Sequence, residues 1–365
     1  MCGICGFIEK DNPPKKEILE AMMAALIHRG PDQGRSFLSG SAALGFRRLA
    51  IIDPGGSVQP MVNETGDKVL VFNGEIYNYQ DLRLELLAAG HRFSSQGDSE
   101  VLLHGYEEWG EALPERLRGM FAFAIWDEKE QTLFAARDPF GIKPFYYTIA
   151  QGSFVFASEI KGILPHPAYE KRLNPEALEQ YLSFQYSVLE DTFFQGIRQL
   201  LPGHFLTYRK GDASLSPKRY FRPMLEPERT GGGNKTSEAE WIHRLDAAIG
   251  NSVKAHMIAD VEVGTFLSGG VDSGLVAARF TGDKTFTVGY GKEDGYYNEI
   301  PLARELAEEL QLEQHNKRIS EKEFWEAVPE VMYHMDEPSG DSSAVALYFL
   351  SREAARHVRV VVSGE

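Results

Sequence analysis

The sequence predicts two domains of different fold class, a strand-rich α+β domain followed by an α/β domain built on a parallel sheet. Length is the first observation, because 365 residues exceed what a single hydrophobic core ordinarily organises. The second is a change near residue 210 from strands with a few helices to strands and helices in alternation. These patterns place one domain at 2–208, a linker at 209–236 and a second domain at 237–365.

Apolar runs and leucine spacing predict the elements of the first domain. Residues 68–73 and 120–126 are apolar, rich in β-branched and aromatic residues and bounded by turn residues, as strands are. Residues 78–89 and 98–109 have helical apolar spacing, and each run stops before a glycine. Cys5 is expected to be a small buried side chain on the first strand.

The linker and the second domain follow from composition and alternation. Residues 209–214 and 230–236 are polar, rich in glycine and without hydrophobic period, which is typical of a linker. Beyond them the pattern predicts, in order, a helix at 237–259, a strand at 263–267, a helix at 274–280, a strand at 285–288, a helix at 298–312 and a strand at 358–362. Strands that alternate with helices imply a parallel sheet with helical crossovers.

Composition favours a soluble small-molecule enzyme of the cytoplasm. The formal net charge is −15 and no Lys/Arg-rich run offers a footprint for nucleic acid. Neither a secretory leader nor a run of about 18 apolar residues is present, so no membrane association is expected. Cys2 and Cys5 alone make neither a disulfide framework nor a cysteine zinc site, and both suit a reducing compartment.

Cys2 is the first candidate catalytic residue. Removal of Met1 would leave Cys2 with a free α-amine beside its thiol. An amine with a reference pKa of about 7.7 to 8.0 can act as a general base near neutral pH. Taken alone, a cysteine at position 2 is equally a small residue in a frayed terminus. The motifs downstream decide between these interpretations.

Five motifs follow the N-terminal Met-Cys-Gly-Ile-Cys-Gly-Phe. They are His28-Arg-Gly-Pro-Asp32, Arg47-Arg-Leu-Ala-Ile-Ile-Asp53, Phe72-Asn-Gly-Glu-Ile-Tyr-Asn78, Gly97-Asp-Ser-Glu100 and Gly119-Met-Phe-Ala-Phe123. In this order they resemble the glutaminase domain of class II amidotransferases over about residues 2–208. The resemblance implies an N-terminal-nucleophile (Ntn) hydrolase fold, an αββα sandwich, and glutamine as substrate.

The resemblance assigns Cys2 as the nucleophile that attacks the glutamine side-chain amide, a role that suits a thiolate. It assigns the oxyanion donors to the side-chain amide of Asn73 and the backbone N–H of Gly74, whose missing side chain also permits close backbone approach. Asn-Gly alone is equally a two-residue hairpin turn. The ordered set of motifs favours the catalytic interpretation.

Three further residues are expected to bind glutamine. Arg48 matches the family's clamp for the α-carboxylate, where a guanidinium gives bidentate geometry. Glu75 and Asp98 match the acceptors of the α-ammonium group. Alone, Arg48 and Asp98 are as compatible with ordinary surface charges.

A second motif, Leu267-Ser-Gly-Gly-Val-Asp-Ser-Gly274, lies at a predicted strand-to-helix junction. Backbone N–H groups and the helix dipole at such a junction attract an anion. The run lacks the Gly-Lys-Ser/Thr ending of a P-loop and the spacing of a dinucleotide-binding motif. Ser-Gly-Gly alone is also a plausible tight turn. The whole run resembles the pyrophosphate loop of ATP pyrophosphatases, which implies ATP in a Rossmann-like domain.

That second resemblance assigns the ATP site. The expected phosphate contacts are Ser268, Gly269, Gly270 and Ser273. Asp272 is expected to help hold Mg²⁺, because a divalent cation neutralises charge on the departing pyrophosphate.

The ends of three predicted strands complete that site. Leu267 and Val288 are the expected adenine contacts. Ser363 and Gly364 belong to a motif that closes over the activated substrate, and Glu365 stands in the position of the catalytic acid or base.

The two domains in this order resemble a glutamine-hydrolysing asparagine synthetase, truncated at its C-terminus. The resemblance implies a C–N bond-forming ligase that adenylates the β-carboxylate of aspartate to β-aspartyl-AMP, releases pyrophosphate, and lets ammonia from glutamine displace AMP. It leaves the oligomeric state open, with a homodimer as one candidate.

Three alternatives remain open at this point. Another carboxylate acceptor fits the same domains, and so does a β-lactam-synthetase-like enzyme, although that family typically lacks the nucleophile and carries Tyr at the position of Glu365. A sugar-phosphate amidotransferase is disfavoured, because that family lacks the Ser-Gly-Gly-x-Asp-Ser loop. A non-catalytic assembly protein with this fold is disfavoured by the intact Cys2, Asn73 and Arg48.

Overall fold

The computed structural model describes residues 1–187, 189–223, 236–291, 298–341 and 343–364. Contacts between Cα atoms divide the chain into two units, Met1–Pro223 and Met224–Glu365. Within the described ranges, no helix combines the length and the apolar composition that a bilayer crossing requires. Residues 224–235 of the expected linker, and Glu365, the expected acid or base, lie outside the described residues.

The first unit contains two six-stranded sheets. Its strands are β1 (Gly3–Ile8), β2 (Gln33–Ser39), β3 (Ala42–Arg48), β4 (Met61–Val62), β5 (Lys68–Ile76), β6 (Gly119–Asp127), β7 (Thr132–Arg137), β8 (Tyr146–Ala150), β9 (Ser153–Ala157), β10 (Arg198–Gln199), β11 (His204–Arg209) and β12 (Lys218–Arg219). The strand orders are β10-β8-β9-β1-β3-β2 and β12-β11-β7-β6-β5-β4. Neighbouring strands are antiparallel in both sheets.

The helices of the first unit are α1 (Lys16–Ala25), α2 (Tyr79–Ala88), α3 (Glu100–Trp109), α4 (Leu113–Arg116) and α5 (Pro175–Phe184), with 3₁₀ turns at Gly110–Ala112 and Ile160–Gly162. Helices α1, α2 and α3 pack on the outer faces of these sheets. The predicted helices at 78–89 and 98–109 correspond to α2 and α3, and both are confirmed.

Three apolar cores separate the layers of the first unit. One lies between the two sheets, a second lies between the β5–β6 sheet and α2 with α3, and a third lies between the β1–β3 sheet and α1. Along β1, Ile4 and Ile8 face the inter-sheet core, whereas Cys5 and Phe7 face α1, as the two-residue period of a strand requires. The predicted αββα sandwich and the buried position of Cys5 are therefore confirmed.

Strand β5 is longer than the sequence predicts. It continues to Ile76, so Asn73 and Gly74 lie inside a strand, opposite Ala122 and Phe121 of β6. The hairpin-turn alternative for this dipeptide is wrong. At the far end of the unit, Lys218 and Arg219 pair with β11, so residues 209–223, which composition places in the linker, contribute a strand to the first unit.

The second unit contains a parallel four-stranded sheet in the order β15-β14-β13-β16. Its strands are β13 (Val263–Phe266), β14 (Lys284–Tyr290), β15 (Glu313–Ile319) and β16 (Val360–Val362). Its helices are α6 (Glu238–His256), α7 (Val271–Ala277), α8 (Ile300–Glu309), α9 (Glu321–Met335) and α10 (Ser343–Ala354). The predicted α/β class with a parallel sheet is confirmed.

The start of α7 differs from the prediction. The helix begins at Val271 rather than at residue 274, so Asp272 and Ser273 lie in its first turn. Strand β15 was also not predicted, because its sequence Glu-Gln-His-Asn-Lys-Arg-Ile is almost entirely polar. It is the edge strand of the sheet, where polar side chains are tolerated.

Candidate active site and nucleotide-binding loop

One pocket of the first unit brings together every residue that the sequence predicts for glutamine chemistry. Its walls include Cys2, Arg48, Asn73, Gly74, Glu75 and Asp98. The side chains of Arg48 and Asp98 are buried, at 5% and 6% exposure, which excludes the surface-charge alternative for both.

Cys2 lies at the start of β1 and its sulfur is held by Leu49, just beyond β3. The Cys2 Sγ accepts a hydrogen bond from the Leu49 N–H at 3.4 Å and lies 3.5 Å from the Leu49 carbonyl oxygen. Burial raises the pKa of the Cys2 thiol, although the Leu49 contact and the nearby N-terminal amine and Lys143 act in the opposite direction. A thiol of this kind needs a base to become a nucleophile.

An N-terminal amine lies beside this thiol, in surroundings that favour its uncharged form. In the chain as translated this amine belongs to Met1, and burial lowers its pKa to about 5, so that it is unprotonated at neutral pH. Arg29 fixes the backbone beside it, donating from Nε to the Cys2 carbonyl oxygen at 2.9 Å and from Nη1 to Glu159 at 2.7 Å. The terminus is thus held in place by buried charged groups rather than frayed.

Asn73 carries an unsatisfied donor. Its side chain is 1% exposed, and its Nδ2 has no hydrogen-bond partner among the described residues. A buried donor without a partner costs about 1–3 kcal/mol and calls for an explanation. An amide N–H that lines a pocket next to Cys2 is a suitable donor for an oxyanion.

Gly74 is required by the sheet. A Cβ atom at this position would collide with the Met120 carbonyl oxygen and would lie 2.7 Å from the Phe121 Cα. The missing side chain of Gly74 therefore permits close approach between the backbones of β5 and β6.

Two buried carboxyl groups form the acidic part of the pocket. Burial raises the pKa of Asp98 to about 7, the Ile76 N–H that donates to its Oδ2 at 2.9 Å lowers it, and the neighbouring Glu75 raises it further. Burial also raises the pKa of Glu75, while Lys143 opposes that shift. A cationic ammonium group would relieve the repulsion between these carboxyl groups.

The loop after β3 orients Arg48. Its Nη1 donates to the Pro54 carbonyl at 3.1 Å, and its Nη2 donates to the carbonyls of Asp53 at 2.6 Å and Ile52 at 3.5 Å. Among the described residues, these contacts engage three of the five N–H donors of Arg48. The other two remain for a substrate carboxylate.

Lys143 is a pocket residue that sequence reasoning missed. It is 5% exposed, and burial lowers the pKa of its ammonium group. Asp138 anchors the loop that carries it, accepting from the N–H groups of Lys143 at 2.9 Å and Ile142 at 3.0 Å. The signal was the run Asp138-Pro-Phe-Gly-Ile-Lys-Pro144, where turn residues hold a lysine just beyond a buried strand.

A second pocket lies at the carboxyl edge of the parallel sheet, where α/β proteins commonly bind ligands. The predicted ATP-site residues that line it are Leu267, Ser268, Gly270, Asp272, Ser273, Val288, Ser363 and Gly364. Gly269 is not among the lining residues. A Cβ atom at Gly269 would lie 2.9 Å from Leu302 of α8, so this glycine permits close packing of the helix instead.

Hydroxyl groups organise the loop between β13 and α7. The Oγ atoms of Ser268 and Ser273 are 2.7 Å apart, and the Gly270 N–H donates to the Ser268 Oγ at 3.1 Å. The end of β16 touches this loop, because a Cβ atom on Gly364 would lie 2.7 Å from the Ser273 nitrogen. Sequence reasoning missed Thr287, Glu299 and the apolar residues of α10 that also line the pocket.

Family comparisons agree with this division of the chain. Residues 1–221 match the family described as glutamine amidotransferase domain, and residues 244–365 match the family described as asparagine synthase. The class is therefore a glutamine amidotransferase domain joined to an asparagine synthase domain.

Similarity to individual proteins identifies the family within this class. The chain is 39% identical to asparagine synthetase [glutamine-hydrolyzing] 1 of Bacillus subtilis, with 100% of this chain and 57% of that protein covered. It is 33% identical to putative asparagine synthetase [glutamine-hydrolyzing] 2 of Methanocaldococcus jannaschii, with 100% and 74% covered. The chain belongs to the glutamine-hydrolysing asparagine synthetase family. It spans little more than half of the Bacillus protein's length.

Similarity extends to a protein with a different name. The chain is 30% identical to amidase chyE of Penicillium rubens, with 100% of this chain and 58% of that protein covered. Proteins of more than one name therefore share this level of similarity with the chain.

Proposed function

We propose that the first pocket hydrolyses glutamine to glutamate and ammonia, with Cys2 as the nucleophile. The buried, unsatisfied Nδ2 of Asn73 is the observation that carries this proposal, because a protein keeps such a donor where a ligand oxygen will arrive. The substrate's α-carboxylate pairs with Arg48, and its α-ammonium group pairs with Glu75 and Asp98. The pocket therefore complements glutamine both at its side-chain carboxamide and at its α-carboxylate and α-ammonium groups.

The reaction starts from a mature chain whose α-amine belongs to Cys2. The thiol passes its proton to that amine while sulfur forms a bond to the carboxamide carbon. Asn73 stabilises the oxyanion. When the C–N bond breaks, the protonated amine returns the proton to the departing nitrogen, which leaves as ammonia. Water then hydrolyses the thioester, releasing glutamate and restoring the thiol.

We further propose that the second pocket binds ATP and that aspartate is the ammonia acceptor. The apolar Leu267 and Val288 suit adenine, and the hydroxyls of Ser268 and Ser273 suit phosphate. Asp272, exposed on the first turn of α7, would hold Mg²⁺, which would neutralise charge on the phosphates. ATP activates the aspartate β-carboxylate: the carboxylate attacks ATP, forms β-aspartyl-AMP and displaces pyrophosphate. Ammonia then displaces AMP to give asparagine.

Two assays test the two halves separately. Ammonia release from glutamine is measured on this chain after removal of Met1, and we expect turnover that a chain retaining Met1 lacks. Aspartate-dependent ATP/pyrophosphate exchange is measured beside a panel of other carboxylates, on this chain and on a version extended to the length of its relatives. Ammonia release without exchange on aspartate would overturn the acceptor and keep the glutaminase. Absence of ammonia release in the mature chain would overturn the glutaminase.

A further inference from the structure

A second cluster of polar side chains lies in the first unit, outside the glutamine pocket. It contains His91 and His104 together with Glu64 and Glu107. One ligand atom each of Glu64, His91 and His104 lies within 4.8 Å of the others. We propose that this cluster is a zinc-binding site that ties three segments of the first unit together.

The distances between candidate ligand atoms have the dimensions of a zinc site. His104 Nδ1 is 2.9 Å from Glu107 Oε2 and 3.6 Å from Glu64 Oε2, and His91 Nδ1 is 3.6 Å from Glu107 Oε2. Ligand atoms about 2.0–2.1 Å from a tetrahedral zinc ion stand about 3.3 Å apart. These three of the six pairwise separations bracket that value, and one ligand atom each of Glu64, His91 and His104 lies within 4.8 Å of the others.

The ligand chemistry selects the metal. Two imidazole nitrogens and two carboxylate oxygens suit Zn²⁺, whereas Mg²⁺ and Ca²⁺ prefer oxygen ligands alone. The charges also balance, because Zn²⁺ neutralises the two carboxylates while both imidazole rings stay neutral. Four protein ligands would close the coordination shell, which is typical of a structural site.

A carboxylate lies behind each imidazole ring of the cluster, beyond direct hydrogen-bond distance. The outer nitrogen of His104, Nε2, lies 3.6 Å from Glu100 Oε1, and the outer nitrogen of His91, Nε2, lies 3.5 Å from Glu108 Oε2. Metal-binding histidines commonly present their second N–H to a carboxylate in this way. Both rings of the cluster therefore direct Nδ1 inward and Nε2 toward a supporting acid.

The supporting network includes the fourth ligand. Asn63 Nδ2 donates to Glu107 Oε1 at 2.7 Å, which turns the other carboxylate oxygen toward His104. The ligands come from the turn between β4 and β5, the turn after α2, and α3 itself. A bound ion would therefore fix two surface turns to a helix of the core.

A metal-free ion pair is the competing state. Burial lowers the pKa of His104, but Glu100 and Glu107 outweigh burial and raise it to about 9, so that an imidazolium satisfies the same contacts. The ion-paired state explains the contacts of His104 but not the position of His91. The ring of His91 lies with its centroid 5.0 Å from that of His104, and its Nδ1 also faces Glu107.

Calorimetric titration with ZnCl₂ tests the site on the full chain without an affinity tag. A Cys2→Ala background removes the N-terminal thiol, the strongest competing zinc ligand. We expect one zinc ion per chain, and a loss of affinity of about tenfold or more in each of His91→Gln and Glu64→Gln. These two residues are more exposed than His104, so their variants should fold.

A matched control removes a histidine from the other close histidine pair. His315 and His357 lie with ring centroids 3.9 Å apart in the second unit, beside Glu313 and Glu353. His357→Gln should bind zinc as the background does. Zinc should also raise the midpoint of thermal unfolding of the background chain but not of His91→Gln. Absence of zinc binding at 100-fold excess over about 1 µM chain, or binding that His91→Gln and Glu64→Gln leave unchanged, would overturn the proposal.

Discussion

The two pockets of this chain are built in opposite ways. In the glutamine pocket the functional side chains are buried, with Asn73 on strand β5 at 1% exposure and Asp98 in the loop before α3 at 6%. In the nucleotide pocket Gly270 and Asp272 are exposed, and the contacts come from a loop and the first turn of a helix. Chemistry on a carboxamide needs preorganised dipoles in a dry site, whereas a phosphate loop needs backbone and hydroxyl groups open to a large ligand. Substitutions should therefore act through charge and hydrogen bonding in the first pocket and through backbone shape in the second.

The largest expected effect is at the nucleophile. Cys2→Ala removes the sulfur that forms the thioester, so glutamine hydrolysis should fall by about 10⁴-fold or more. The nucleotide pocket lies in the other unit, so ATP affinity in a binding titration should not change. Cys5→Ala is the matched control, because Cys5 is buried against α1 and lines neither pocket. Equal losses in the two variants would contradict the assignment.

Asn73→Ala tests the oxyanion donor. Removal of one such donor lowers kcat by about 10²–10³-fold. Since Nδ2 has no partner among the described residues, the variant should lose no folding stability, and its midpoint of thermal unfolding should equal or exceed that of the parent. A fall in both kcat and the unfolding midpoint would show a structural asparagine instead.

Gly364→Ala tests the role of backbone shape in the nucleotide pocket. The added methyl group would lie 2.7 Å from the Ser273 nitrogen, so the loop must shift. We expect ATP affinity to fall about tenfold, the equivalent of about 1.4 kcal/mol, while glutamine hydrolysis is unchanged. Gly250→Ala is the control within the second unit, since its methyl group makes only an ordinary 3.8 Å contact with Arg279. That helical substitution should preserve ATP affinity and add about 0.5–1 kcal/mol of stability.

The pH dependence of glutamine binding follows from Asp98. Its pKa is raised to about 7 by burial, and only the ionised form attracts the substrate ammonium group. The KM for glutamine should therefore rise as pH falls below about 7, approaching tenfold per pH unit, while kcat changes less. Asp98→Asn should have a higher KM and lose this dependence. A KM that is flat from pH 5.5 to 8 in the parent would contradict the role of Asp98.

Ionisation of Asp98 should also affect the stability of the folded chain, and this effect should be smaller than the change in KM. The pKa of its carboxyl group is 3.8 when exposed and about 7 in the folded chain. The protonated form is therefore favoured by folding, and this stabilisation is full below about pH 3.8 and lost as pH rises through about 7. Asp98→Asn should consequently raise the midpoint of thermal unfolding more at pH 8 than at pH 5. Equal shifts at the two pH values would show that Asp98 is ionised throughout.

The sequence predicted most of the glutamine pocket because its residues belong to motifs that resemble, in the same order, those of the class II glutaminase domain. It could not predict that Asn73 and Gly74 lie inside β5, since Asn-Gly is also the preferred hairpin dipeptide and only pairing with β6 decides. Lys143 was missed because its loop contacts the pocket only through the tertiary fold.

The second unit was less predictable. Its loop was found by motif, but the position of Gly269 depends on how α8 packs, which no local pattern encodes. The polar strand β15 gives no hydrophobic signal at all. The cluster of Glu64, His91 and His104 was not predicted for a related reason, because its members are spread over 41 positions of the chain.

Covalent trapping tests the central claim most directly. The mature chain is incubated with a glutamine analogue that carries a diazoketone in place of the carboxamide, and the N-terminal peptide is analysed by mass spectrometry. We expect a single adduct on Cys2 of chains that have lost Met1, prevented by excess glutamine and absent from Cys5. An adduct that forms equally on chains retaining Met1, or none at all on mature chains, would contradict an N-terminal cysteine nucleophile in this pocket.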